Sequence, residues 1–350
     1  MSSPNQPAVP RSLQLALFVT GVLWLVAAQS TSVRSAEGFG GRFGLGLAEA
    51  PLQQGIFVFL LLVGFAALSF IATRRGGLGF VNALPARCTT RQEFGRGAAL
   101  GWGMLLVAVL PMMVVGDLHP TFTFTGHSFA GTVSAFLTIA LGTLALELGF
   151  RGYIYQRLIA ALGPSVATLG MAFLYAMWGA VAPNATSFSF VVTLLFGLVY
   201  SLAYLRTHAL WVSWGMHFAW AAATAILFGL PVSGVAYDAT MVQATVSGRE
   251  WFTGGAYGPE GCLFAAIVLL GTIPVVYRVT REYAWEYTQP EIVAAGYAMD
   301  IAPPKAHTDM EAAAAAAPVP LVQILGTTST TASTNAEIDR HLRNDAGDGV

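Results

Sequence analysis

The sequence predicts an all-α fold, a polytopic bundle of transmembrane helices. Three observations carry that prediction: high hydropathy, scarce charge and recurring long apolar runs. Of the 350 residues, 55% are hydrophobic and 10% charged, and mean hydropathy is +0.63. Ordinary soluble domains carry nearer about 25% charged residues. A formal net charge of −1 provides no basic field for nucleic acid. Cys88 and Cys262 lie far apart without ligand spacing and read as free thiols.

Taking apolar runs of about 18–22 residues as spans gives about eight of them. They fall near 13–28, 55–73, 97–116, 128–148, 165–182, 188–205, 209–230 and 262–277. The first follows Arg11 in the manner of a signal peptide, but it is long enough to span and further spans follow, so it is read as an uncleaved helix. Gly97 and Gly101 have the GxxxG spacing of close helix pairs, yet with 38 glycines in the chain the match reads as incidental. The expected organisation is 1–127 for the first three spans, 128–230 for a core, 231–281 for a loop and the last span, and 282–350 for a flexible cytoplasmic tail. That tail holds an alanine run and a Thr/Ser-rich stretch and lacks the apolar content for a packed core.

Arginine placement sets the expected orientation. Arg74, Arg75, Arg87, Arg91 and Arg96 crowd the second connection, Arg157 falls in the fourth, Arg206 in the sixth, and Arg278 and Arg281 follow the last span. The third and fifth connections contain no Lys or Arg. This alternation predicts a multi-pass protein of the cytoplasmic (plasma) membrane with both termini cytoplasmic, against the weak dissent of Arg34 and Arg42.

One stretch breaks the apolar pattern: Leu144-Ala-Leu-Glu-Leu-Gly-Phe-Arg-Gly-Tyr153. Glu147 and Arg151 are four residues apart, so on a helix they share a face and can pair. A charge at membrane depth costs about 2.5–3.5 kcal/mol or more unless it meets a partner or a polar cavity. The pair therefore marks either a functional site or a buried ion pair that fixes helix packing. His217 lies within a later span, where an imidazole carries protons or rests neutral against a neighbouring helix. No dinucleotide, nucleotide-phosphate or HExxH motif occurs, so no cofactor and no metal is expected.

The ordered set Glu147-x-x-Phe150-Arg-Gly152, Phe173-x-x-x, Tyr204-Leu-Arg-Thr207 and an in-membrane His217 resembles the CPBP family, the CAAX prenyl protease 2-like, Abi-type intramembrane endopeptidases. The resemblance covers about 128–230 and implies a helical bundle with a cavity open to the cytoplasmic leaflet. It further implies a glutamate and a histidine that activate water, and a second histidine and an asparagine that stabilise the oxyanion. In this chain the first glutamate of the family pair is Leu146, the first histidine is Met177 and the asparagine is Ala221. His217 remains, and Glu147, Arg151 and Phe173 match supporting positions.

Leucine, methionine and alanine cannot move a proton, and losing one oxyanion donor costs about 100- to 1,000-fold in rate. The expected function is thus a family member with proteolysis weak or lost, a pseudoprotease that holds a transmembrane or lipidated polypeptide segment among membrane lipids. The alternatives are an active hydrolase, an endopeptidase using Glu147 and His217 as catalytic residues, and a small-solute transporter. Against transport, no other span carries a charge or a paired set of broken helices.

Overall fold

A computed structural model describes residues 10–73, 84–85, 87–283 and 312. Arg74, Arg75 and the 282–350 tail, apart from residues 282, 283 and 312, lie outside the described residues.

The helices run in order α1 (Arg11–Phe43), α2 (Glu49–Thr73), α3 (Thr90–Val115), α4 (Gly126–Glu147), α5 (Ile154–Leu162), α6 (Pro164–Gly179), α7 (Ser187–Thr207), α8 (Trp211–Ala222), the single turn α9 (Glu250–Thr253) and α10 (Leu263–Val279). A π-helical segment, Leu148–Tyr153, joins α4 to α5, and a second, Ala223–Leu227, extends α8. Among the described residues, five helices are long and apolar enough to cross a membrane: Arg11–Phe43, Gly46–Ala72, Thr90–Val115, Gly126–Leu162 and Ser187–Thr207. Leu263–Val279 is a shorter apolar helix. At two further expected spans, α6 has 16 residues and α8 has 12, extended by the five of its π segment, both short of the roughly 20 that a bilayer core requires.

The distribution of apolar side chains is that of a membrane bundle. Leu23 is 65% exposed, Phe59 63% and Leu169 64%, an outward apolar surface that water would penalise. Inside, α1 buries Gln14, Leu17, Gly21, Leu25, Ala28, Ser32 and Ala36 at helical spacing. Trp24 Nε1 donates to the Leu60 carbonyl at 3.0 Å, fixing α1 against α2. Thr125 with Ser128, and Thr186 with Ser189, form capping boxes that start α4 and α7.

α3 and α8 pack through their backbones. A Cβ on Gly97 would collide with the Val212 carbonyl, and one on Gly101 with that of Met216. From the other side, a Cβ on Gly215 would strike the Phe94 carbonyl. The GxxxG spacing is therefore structural here, contrary to the incidental reading, because only hydrogen fits between two helices this close.

The helical bundle is the expected all-α architecture, and it carries a short two-stranded antiparallel sheet in its connections. β1 (Leu118–Phe122) pairs with β2 (Val242–Val246) in the register Leu118↔Val246 to Phe122↔Val242. It ties the connection after α3 to the long one after α8, and Met241 N–H donates to Thr132 Oγ1 on α4 at 2.9 Å. α5 is drawn into the bundle: Tyr155, Gln156, Arg157 and Leu158 are all buried. Arg157 lies over the Tyr153 ring at 4.6 Å and donates to Gln14 at 3.3 Å, so it is a packing cation, not a loop charge.

Gly101→Leu is expected to destabilise the bundle by at least about 1–3 kcal/mol, the cost of overpacking. Gly103→Leu, where a Cβ meets nothing within 4 Å, should melt as wild type. Thermal unfolding of both variants in detergent checks the pair.

Candidate functional site

The site begins where α4 gives way to the π segment. A π turn widens the helix by one residue and recurs at functional sites. Here Gly152 leaves helical conformation (φ −81°, ψ −121°) and ends the pattern before α5. Glu147 and Arg151 are 0% and 1% exposed and are paired through Arg151 Nη1 and Glu147 Oε1 at 3.3 Å.

The same oxygen accepts from His217 Nδ1 at 2.9 Å. An ionised carboxylate only accepts, so Nδ1 carries the proton and Nε2 is left with its lone pair. That nitrogen faces the Tyr175 hydroxyl at 3.5 Å. The Tyr200 ring stacks on the imidazole with centroids 5.0 Å apart. Arg151 lies over both tyrosines, 4.2 Å from the Tyr175 centroid and 5.2 Å from that of Tyr200. Two π faces thus complement a guanidinium whose Nε and Nη2 make no hydrogen bond among the described residues.

His217 and Tyr175 line a cavity of about 450 Å³, whose walls include Gln54, Thr138, Thr143, Leu146, Thr193 and Ala221. The structure therefore unites His217, Glu147 and Arg151, with Leu146 and Ala221 facing the same space. Phe173 and Met177 stand apart. Phe173 is half-exposed and packs edge-on against Phe190 at 6.0 Å. Met177 lies in a separate apolar groove with Val22, Leu25 and Val26 of α1. The α6 side chain that reaches the imidazole is Tyr175.

A second carboxylate, absent from the sequence reading, sits beyond Trp220. Glu260 is buried, accepts from Trp220 Nε1 at 3.0 Å and bonds the Ser233 hydroxyl. Ser233 and Tyr257, which line the cavity, place it close to the His217 chamber. Ser233 holds a left-handed conformation at φ 46°, the kind of backbone strain that collects at ligand-facing sites. Burial raises the Glu260 carboxyl above the ordinary carboxylate range, against the opposing hydrogen bonds from Ser233 and Trp220. Its sequence context, one acid just ahead of an apolar run, reads as an ordinary helix-start charge and conceals it. Among the described residues, no group of three or more His, Cys, Asp or Glu side chains could hold a metal ion.

The arrangement has one proton acceptor, His217 Nε2, oriented by a carboxylate, and one nearby donor, the Tyr175 hydroxyl. No other carboxylate contacts the imidazole among the hydrogen bonds of the described residues.

Residues 127–223 match the family model described as type II CAAX prenyl endopeptidase Rce1-like. The match supports assignment of this membrane protein to the CPBP family. No curated protein matches the chain, and no solved structure does.

Glu147→Ala strands a buried guanidinium and is expected to cost about 3–5 kcal/mol. Adding Arg151→Met should recover part of that loss, which a double-mutant cycle of melting temperatures measures. At Glu260 the folded carboxyl is raised relative to the unfolded chain. Its stabilising contribution is therefore complete in acid and lost as pH rises through the folded value. Melting temperature should fall over that interval in wild type and stay flatter in Glu260→Gln.

Proposed function

We propose that this chain is a CPBP-family protein of the plasma membrane, with both termini cytoplasmic, that binds a transmembrane or lipidated polypeptide segment in the chamber lined by His217 and hydrolyses it weakly or not at all. One observation carries the reading. Leu146 and Ala221 face the same cavity as His217, so two positions that bear reactive groups in the family pattern present hydrocarbon to a bound segment. Neither side chain can take a proton from water or donate to an oxyanion. The wall's Thr138, Thr143 and Thr193 donate to carbonyls of their own helices, so their oxygens offer acceptor lone pairs to peptide N–H groups, beside the tyrosine hydroxyls of the lining.

The Glu147–His217 bond favours a second reading, slow hydrolysis. His217 Nε2 would take a proton from water as its oxygen attacks the scissile carbonyl, and would return that proton to the departing amine. The tetrahedral oxyanion would have the Tyr175 hydroxyl as its side-chain donor. Glu147, wholly buried and engaged with Arg151, orients the imidazole and does not meet the water.

Full-length protein in lipid nanodiscs, offered synthetic peptides that each contain one transmembrane segment, is expected to retain a subset without releasing fragments. Installing Leu146→Glu together with Ala221→Asn should raise cleavage about 100-fold or more. Wild-type cleavage abolished by His217→Ala would establish the second reading. Neither retention nor cleavage would reject both.

A further inference from the structure

A groove on the surface of the bundle, between the start of α3 and the end of α10, shares no lining residue with the His217 chamber. Its volume is about 400 Å³. Arg96, Ala99 and Leu100 of α3 form one wall, and Arg278, Val279 and Glu282 the other.

Two arginines near this end of the bundle are already committed to the protein. Arg87 Nη1 donates to the Thr207 carbonyl at 2.7 Å and lies 3.7 Å from Glu93. Arg206 Nε donates to Thr280 Oγ1 at 3.3 Å, with its guanidinium over the Tyr277 ring at 4.9 Å. The two arginines of the groove differ. Arg278 is exposed and makes no hydrogen bond or ion pair among the described residues. Arg96 pairs with Glu282 at 3.3 Å, but the two side chains are 42% and 80% exposed. A pair so open to water is weak and readily gives way to another anion. The Tyr283 ring, 5.0 Å from the Arg96 guanidinium, holds that cation in place independently of Glu282.

Below the arginines the helices leave an open apolar path. Gly103 follows Arg96 by seven residues, and Gly271 precedes Arg278 by seven. Seven residues make nearly two turns, so each glycine shares its arginine's face about 10 Å further along the bundle. A Cβ on either glycine would meet nothing within 4 Å. Ala99 and Val275, each three residues from an arginine, are exposed between the two levels. Exposed Tyr277 adjoins Arg278, and tyrosines of this kind mark the membrane–water boundary.

We propose that the groove between Arg96 and Arg278 binds the phosphate of an anionic glycerophospholipid, with an acyl chain lying along the Gly103–Gly271 path. Two guanidiniums present planar donor pairs to the phosphate oxygens. Arg91 and Arg281, exposed at the same helix ends, add to the positive field. A choline headgroup would bring its own cation against that field, so the preference is for a headgroup with net negative charge. Glu282 is the internal competitor that the phosphate displaces from Arg96. The site requires that the chain spans a bilayer and is indifferent to which leaflet this end meets.

Native mass spectrometry of the full-length protein in detergent tests the site, with phosphatidylglycerol and phosphatidylcholine of identical acyl chains as probes. Wild type should retain phosphatidylglycerol about 10- to 30-fold more strongly than phosphatidylcholine. Arg96→Gln with Arg278→Gln should abolish the preference, and Glu282→Gln should increase it. Arg34→Gln with Arg42→Gln, the same change in charge placed on α1, should leave the preference at the wild-type level. If the Arg96/Arg278 variant fails to fold, Arg278→Gln alone, which removes no contact among the described residues, should reduce the preference about fivefold. Equal retention of the two lipids by wild type, or equal losses in the two double variants, would overturn the site. Displacement of phosphatidylglycerol by an equal concentration of inorganic phosphate would assign the groove to a soluble anion and overturn the lipid.

Discussion

A single oxygen of Glu147 accepts hydrogen bonds from both Arg151 and His217, and the chamber is built outward from that shared acceptor. The carboxylate neutralises a guanidinium that the bundle has removed from water. It also fixes the imidazole so that its lone-pair nitrogen points into the cavity. Tyr175 and Tyr200 serve both partners, presenting π faces to Arg151 and ring contacts to His217. The interaction is expensive to assemble, since two charges lose their hydration. It persists because the alternative, one charge without its partner, is worse.

That arrangement requires α4 and α8 to hold a fixed separation, and the glycines of α3 supply the constraint. Gly97 and Gly101 seat α3 against the carbonyls of Val212 and Met216, and Met216 immediately precedes His217 in the chain. Backbone contact of this kind leaves no soft side chain to absorb a shift, so the height of the imidazole relative to Glu147 follows from α3 packing. The π segment complements it from the other side, placing Arg151 back over the carboxylate before Gly152 redirects the chain.

Much of this was legible in the sequence. The apolar runs located the helices, the i,i+4 spacing paired Glu147 with Arg151, and an isolated histidine in an apolar stretch pointed to the chamber. What hydropathy could not reveal were features of short range or long separation. β1, with Pro120, and β2 are five residues each and too brief for a span-length window. Glu260 meets Trp220 across 40 residues, a pairing no periodicity encodes. Phe173 and Met177 were singled out by motif spacing, yet the helical phase of α6 turns them outward and turns Tyr175 inward.

On the proposed reading, the same energetic asymmetry accounts for hydrocarbon at positions 146 and 221 beside a charged Glu147–Arg151 pair. A side chain that only lines the chamber, such as those at 146 and 221, strands no buried partner when it is apolar. Glu147 and Arg151 are different: changing either one alone leaves an uncompensated charge at depth, whereas changing both also unfastens His217. The supports are therefore held by folding even where chemistry makes no demand on them. A retained charge pair in such a bundle is evidence for the chamber's architecture, and the groups facing the chamber decide what it does.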